Sequence, residues 1–326
     1  MTKINVGVIG AGYWGKKIAF EYNQLSKKDS LVSLHSVCDL LDNNLTICKA
    51  KQNVSHVTKY YRDVLSSPEI DAVHICTPNE THYELCRAAL AAKKHVLVEK
   101  PMTQRFGEAL KLVDLAKSND RVLSVGHIFR FNKAIQKIQS LVQNNFFGDL
   151  FWLKLQWTAL MPLMNGRDII NDLAPHPFDI LNFILGTWPS KITCKAKAYR
   201  NKDFEETAYI IAEFEDNLMA NIELNWLSPG KVRELSIMGS KRFAKVDCLT
   251  QEVKVFEDDH FYDLPVQSNN TIGAELNYFI RCIQENAVPK RNGSQKNNGL
   301  MGAKVVKLLE VSRESMKEAR TKRIDW

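Results

Sequence analysis

Paired cysteine motifs are missing from this 326-residue chain: its seven cysteines are scattered and include no Cys-x-x-Cys. An odd, unpaired set suits reduced thiols rather than a disulfide framework. Long apolar runs are missing too. None reaches the ~18 residues that span a bilayer, and "INVGVIGAG", which follows Met1-Thr2-Lys3 directly, is too short and too glycine-rich for a secretory signal. These two shortages point to a cytoplasmic protein without a membrane partner. No helix-turn-helix, zinc or aromatic–basic RNA signature occurs, so no nucleic-acid partner is expected. No His, Cys and Asp set has ligand spacing with a matching second set, so no metal is expected. Repeats and low-complexity tracts are lacking as well. What remains is an ordinary globular composition, 45% hydrophobic and 25% charged, with a net charge of +7 that suits an anionic ligand or a solvated lysine surface.

The first third alternates strand-length apolar runs with helical patterns. Strands are expected at 4–10, 31–39, 71–78 and 95–101 and at "VLSVGH", and helices within 15–25, 41–52, 79–94 and 106–118. Thr81 and Glu84 have capping-box spacing at the start of the third helix. Nearly continuous apolar strands between helices imply a parallel sheet covered on both faces. The first strand-to-helix turn, Gly10-Ala11-Gly12-Tyr13-Trp14-Gly15, has the G-x-G-x-x-G pattern, and Asp39 ends the second strand. In that context the pattern is a dinucleotide fingerprint. Gly10 serves the tight turn, Gly12 the approach of a pyrophosphate, and Gly15 the packing of helix on strand. Asp39 reads as the acceptor for ribose hydroxyls, as a cap for the following helix, or as both. Leu40 and Leu41 follow it, with no cation for a 2′-phosphate, so NAD is favoured over NADP.

From about residue 150 the period becomes two. "FWLKLQW", "KITCKAKAY" and "ANIELNW" alternate apolar with polar residues, and Glu215-Asp216-Asn217 reads as a hairpin turn. This predicts a large, mostly antiparallel sheet with one face on a core and the other open or joined to another subunit. Helices are expected at 133–144, 177–185, 273–286 and 302–319, with a loop at 291–299. The fold class is therefore α/β: an N-terminal Rossmann domain over 1–125, and over 126–326 an α/β domain for substrate binding and oligomerisation.

Two stretches hold the chemistry. "HVLVEKP" ends a buried strand in Glu99-Lys100-Pro101, where desolvating charges costs free energy unless something uses them. Oxidation of an alcohol by NAD needs a base for the hydroxyl proton, and Lys100 is placed for it, worth ~10²–10⁴ in rate. Pro101 fixes the backbone after it, and a cis bond there would aim the side chain. A solvated strand-end lysine is the competing reading. In "NDLAPHPFDIL", Asp172, His176 and Asp179 fall within eight residues. Pro177 suits a first helical turn, so His176 would share proton transfer and either Asp would orient its ring. Acids at an ordinary helix start are the alternative.

"GVIGAGYWG", "AVHICTPNETHYEL", "HVLVEKP" and the Asp172-x-x-x-His176 spacing with Asp179 together resemble the Gfo/Idh/MocA oxidoreductases. The resemblance implies Lys100 and His176 in acid/base positions and Asp172 as partner of the substrate or of His176. It implies a cofactor lined by Tyr13, Trp14, Thr77, Pro78, Asn79, His82, Glu99 and Lys100, and a homodimer or homotetramer joined through the second domain's sheet. "GYWGKK", "VGHIFRFN" and "DLAPHPFDIL" resemble the branch that oxidises UDP-N-acetylglucosamine at carbon 3. This chain departs from that branch in having Pro177 after the histidine and Lys133 after "RFN". A nucleotide sugar would find diphosphate contacts in Arg130 and Arg167, though Arg130 also reads as a structural ion-pair residue. A free-sugar or inositol dehydrogenase is the alternative of like chemistry, and an NAD-dependent glycosidase the alternative of another class.

Overall fold

The computed structural model describes residues 3–52, 54, 56–164, 166–284 and 299–326. Up to residue 128 the elements are β1 (Ile4–Ile9), α1 (Tyr13–Lys28), β2 (Val32–Cys38), α2 (Asp42–Gln52), β3 (His56–Thr58), α3 (Tyr61–Ser66), β4 (Ala72–Ile75), α4 (His82–Ala91), β5 (His95–Val98), α5 (Phe106–Ser118) and β6 (Leu123–Val125). The six strands form one parallel sheet in the order β3-β2-β1-β4-β5-β6. That is the doubly wound order, whose switch point lies between the first and fourth strands. Val6 and Val8 face α1, where Ile18 and Tyr22 are fully buried, while Ile75, Val96 and Val98 face Cys86 and Leu90 of α4.

The second stretch contains α6 (Lys133–Gln143), β7 (Leu150–Leu160), α7 (Ile169–Leu173), α8 (Pro175–Leu185), β8 (Lys191–Lys197), β9 (Thr207–Glu213), β10 (Met219–Asn225), β11 (Leu227–Gly239), β12 (Phe243–Asp247), β13 (Glu252–Glu257) and β14 (His260–Leu264). It is followed by α9 (Thr271–Gln284), α10 (Gly299–Glu318) and β15 (Lys322–Arg323). Nine strands pair in the order β14-β13-β12-β11-β7-β10-β9-β8-β15. All neighbours are antiparallel except β10 and β7. Asp216 and Asn217 both take positive φ in the β9–β10 turn. The inward phase of β7 buries Leu153, Leu155 and Trp157 completely. The outward phase carries a cross-strand row: Phe261, Phe256, Phe243, Met238, Trp152 and Met219 are successive partners from β14 to β10. Trp152, Met219 and Phe261 in that row are 38%, 49% and 57% exposed.

The chain divides into two compact units, Met1–Ile128 with Asn270–Val306, and Phe129–Asn269 with Lys307–Trp326. Asn270–Gln284 and Gly299–Val306, assigned to the second domain by a division at 125, thus lie with the first. Leu276, Phe279, Ile280 and Ile283 of α9 share the core of Ile18 and Tyr22. Helical periodicity reveals a buried face but not which core covers it. The expected loop at 291–299, except Gly299, and the last two residues of the helix expected at 273–286 fall outside the described residues. The capping box at α4 does not form. The Thr81 hydroxyl lies 2.7 Å from both Thr77 Oγ1 and the Pro78 carbonyl, and Glu84 pairs with Arg87 instead.

Candidate active site

In the first unit the glycine turn sits at the switch point. Gly10 has φ +91°, and a Cβ there would lie 2.8 Å from the Cys76 carbonyl carbon and the Thr77 nitrogen. A Cβ on Gly15 would meet the Gly10 oxygen at 1.8 Å, so α1 can approach β1 only with glycine there. Gly12, the N-cap of α1, makes no side-chain cap, and nothing lies within 4 Å of its would-be Cβ. The first turn of α1 also lacks an acid. Amide donors facing open space at a helix N-terminus fit a pyrophosphate. The Asp39 carboxylate accepts from the Ala11 amide (2.6 Å), the Leu41 amide (2.9 Å) and Asn44 Nδ2 (3.0 Å). It therefore braces the glycine turn as well as the start of the β2–α2 connection, the place from which ribose hydroxyls are bound in such folds.

The ends of β4 and β5 carry the second group. Thr77, Pro78 and Asn79 follow β4, and Asn79 opens a short 3₁₀ turn. His82 does not project to a ligand. It is fully buried, with Nδ1 2.8 Å from the Pro101 carbonyl and Nε2 2.9 Å from that of Thr77. Burial lowers its pKa, against the upward pull of those carbonyls. His82 thus ties the Thr77 loop to the Lys100–Pro101 loop with both ring nitrogens engaged, a correction to its reading as a cofactor contact. The Lys100–Pro101 bond is cis. Glu99 is 8% exposed and accepts from Trp14 Nε1, with His74 Nε2 3.5 Å away. His74, Cys76 and Glu99 place one ligand atom each within 4.8 Å of one another. Their spacing in sequence conceals this cluster, although a histidine inside the buried strand "AVHI" was a readable signal. Burial, together with Glu99, pushes the Cys76 thiol well up, keeping it protonated.

The second unit presents its own group. Asp168 caps α7 by accepting from the Asn171 amide (2.8 Å). Asp172, on that helix, pairs with Arg167 at 3.4 Å. The helix bearing His176 begins at Pro175, two residues earlier than expected, so His176 lies within its first turn. Its ring stands edge-on to Phe129 at 5.1 Å, and Phe129 is edge-on to Trp157 at 5.4 Å. Asp179 does not orient His176. It accepts from Arg130 Nε at 2.6 Å, both side chains being 1% exposed, while Arg130 Nη2 donates to Asn182 Oδ1 at 2.9 Å. Arg130 also lies 5.2 Å over the Phe183 ring. Wholly buried and so committed, it holds α8 to the segment before α6 and is no substrate contact. Arg233 on β11 was missed by sequence reasoning. It pairs in register with Trp157 and shares the inward phase with Leu235 and Ile237. Burial pushes its pKa down to about 10, while the Asp172 carboxylate opposes that shift.

Fold, turn and strand-end residues define an NAD-binding oxidoreductase of the Rossmann class. A family model for the oxidoreductase family's NAD-binding Rossmann fold matches residues 4–127, and one for the GFO/IDH/MocA C-terminal domain matches 135–245. The chain belongs to the GFO/IDH/MocA family and is a dehydrogenase acting on CH–OH groups. UDP-N-acetylglucosamine 3-dehydrogenase of Acidithiobacillus ferrooxidans is 28% identical over 258 residues, 78% of each chain. Its solved structure matches with a TM-score of 0.83 at 24% identity, covering 98% of this chain and 99% of that one. Myo-inositol 2-dehydrogenase of Thermotoga maritima is 24% identical over 95% of this chain and 97% of its own. Scyllo-inositol dehydrogenase of Lactobacillus casei, solved with NAD(H) and scyllo-inositol, matches at TM-score 0.83 and 19% identity, covering 99% of each chain. Among the described residues no helix is long and apolar enough to cross a membrane.

Proposed function

We propose that this protein oxidises a UDP-linked N-acetyl hexosamine, or its uronic acid, at carbon 3. The carrying observation is the likeness to UDP-N-acetylglucosamine 3-dehydrogenase over 78% of both chains. Lys100 takes the hydroxyl proton. His176 shares proton transfer, and Asp172 holds the sugar or the His176 ring. NAD, when bound, supplies the hydride acceptor, its phosphates on the Gly10–Gly15 turn and its adenosine ribose on Asp39. Arg167, exposed beside Asp172, grips phosphate oxygens. A second reading, inositol or free-sugar oxidation, is favoured by the myo-inositol 2-dehydrogenase relative. A thermal-shift screen with NAD present separates them: UDP-sugars should raise the melting temperature, and free sugars and inositols should not. Stabilisation by inositols alone would overturn the nucleotide-sugar reading and leave the dehydrogenase intact.

The occupant of the open sheet face is a second copy of this chain. The support is the unbroken aromatic and methionine row across six strands, with Trp152, Met219 and Phe261 exposed on it, since large apolar side chains aligned on one face mark association surfaces. The seven free cysteines suit a reducing cytoplasm.

A further inference from the structure

We propose that Arg233, with Arg167 beside Asp172, forms an anion-binding subsite for a carboxylate or phosphate group of the substrate, a proposal that rests on the sugar-dehydrogenase reading above. Leu235 and Ile237 show what the inward phase of β11 is for, since both are fully buried. Arg233, in the same phase nearer the strand's start, is half-buried, and the hydration its guanidinium loses there is offset by partners. The structure gives it two neutral ones. Nη1 donates to the Thr158 carbonyl at 2.9 Å and to the Val232 carbonyl at 2.7 Å. Among the described residues no carboxylate forms an ion pair with Arg233.

Those two bonds occupy both Nη1 hydrogens and fix the plane of the group. The edge made by Nε–H and Nη2–H remains, and that edge matches a carboxylate or phosphate bidentately. Asp172 is the acid whose charge reaches Arg233, and it already pairs with Arg167. Two guanidinium groups and one carboxylate leave a net positive charge. Trp157, the register partner of Arg233, touches Phe129, which touches His176. The Arg233 cation therefore belongs to the same face of the sheet as the acid/base histidine. A neutral polyol supplies no counter-ion here, whereas a uronate carboxylate or a sugar diphosphate does.

The test is isothermal titration of wild type, Arg233→Gln and Arg233→Lys, each saturated with NAD. The ligands are UDP-N-acetylglucosamine, its uronic acid, N-acetylglucosamine 1-phosphate, glucuronate, N-acetylglucosamine and myo-inositol. Arg233→Gln should weaken binding of the anionic ligands by about ten- to a hundredfold, with NAD and neutral ligands unaffected. A loss confined to phosphorylated ligands assigns the subsite to phosphate, and one confined to uronates assigns it to carboxylate. Arg233→Lys keeps the charge without the fork and should lose less. If Arg233→Gln melts early, Arg233→Lys at the wild-type melting temperature decides alone. Equal losses for neutral and anionic ligands, or no loss for any, overturn the subsite. Arg233-dependent binding of free uronates or sugar phosphates, with no UDP-sugar bound, keeps the subsite and rejects the UDP-sugar assignment.

Discussion

Replacing Arg130 by methionine should destabilise the second unit without touching ligand affinity. The guanidinium lies 2.6 Å from Asp179, with 1% of either side chain exposed, and its other edge meets Asn182. Methionine keeps most of the volume and leaves an uncompensated carboxylate in the core. Breaking a buried pair from one side costs about 3–5 kcal/mol. For a unit in the 150–250-residue range each kcal/mol moves the melting temperature by roughly 2–4 °C. The drop should therefore be about 6–20 °C in a calorimetric scan. Replacing Asp179 by leucine in the same chain should recover much of it, because a well-packed apolar pair is about as stable as a buried ion pair. A single variant that melts like wild type while its UDP-sugar affinity falls would refute this reasoning and return Arg130 to the substrate.

Three further outcomes are expected. Asp39→Ala should weaken NAD binding and narrow a wild-type preference for NAD over NADP, measured by fluorescence titration; a wild type that uses NADP equally well would remove Asp39 from the ribose. His95 Nδ1 accepts the Val122 amide at 3.0 Å, and burial, aided by Arg121, lowers its pKa from 6.5 to about 4. The unfolded chain thus binds a proton that the folded chain refuses between those values. Stability present above pH 6.5 should fall as pH drops through that window, by at most about 3 kcal/mol. Urea unfolding of His95→Gln should show a shallower pH slope, and an unchanged slope would clear His95 of the effect. Trp152→Lys with Met219→Lys should reduce the oligomer seen by light scattering to monomers, and an unaltered mass would place the subunit contact elsewhere.

Much of the first unit was legible because its signals are local. The Gly10–Gly15 turn, Asp39 at a strand end and the Glu99-Lys100-Pro101 terminus each declare their place within a few residues of a strand. The period-two alternation likewise exposed β7, β8 and β10 before their register was known. What escaped depended on distant partners. Asp179 was one of two acids read as orienting His176, because it lies three positions on along one helix, yet its cation comes from Arg130, 49 positions away. Thr81 had capping-box spacing, but its hydroxyl turns to Thr77 and Pro78. The apolar stripe of α9 announced burial without naming the first unit's core. Arg233 was readable in principle, as a charge in the inward phase of a strand, but only after the phase was fixed by Leu235 and Ile237.

The central claim is that Lys100 takes the hydroxyl proton as a sugar alcohol reduces NAD. Single-turnover absorbance of NADH tests it most directly, with UDP-N-acetylglucosamine or its uronic acid as substrate and the ketone trapped, because its formation is uphill. Wild type should form NADH in one turnover, and Lys100→Met should do so ~10²-fold or more slowly with NAD affinity nearly intact. Near-normal turnover by Lys100→Met would contradict the account.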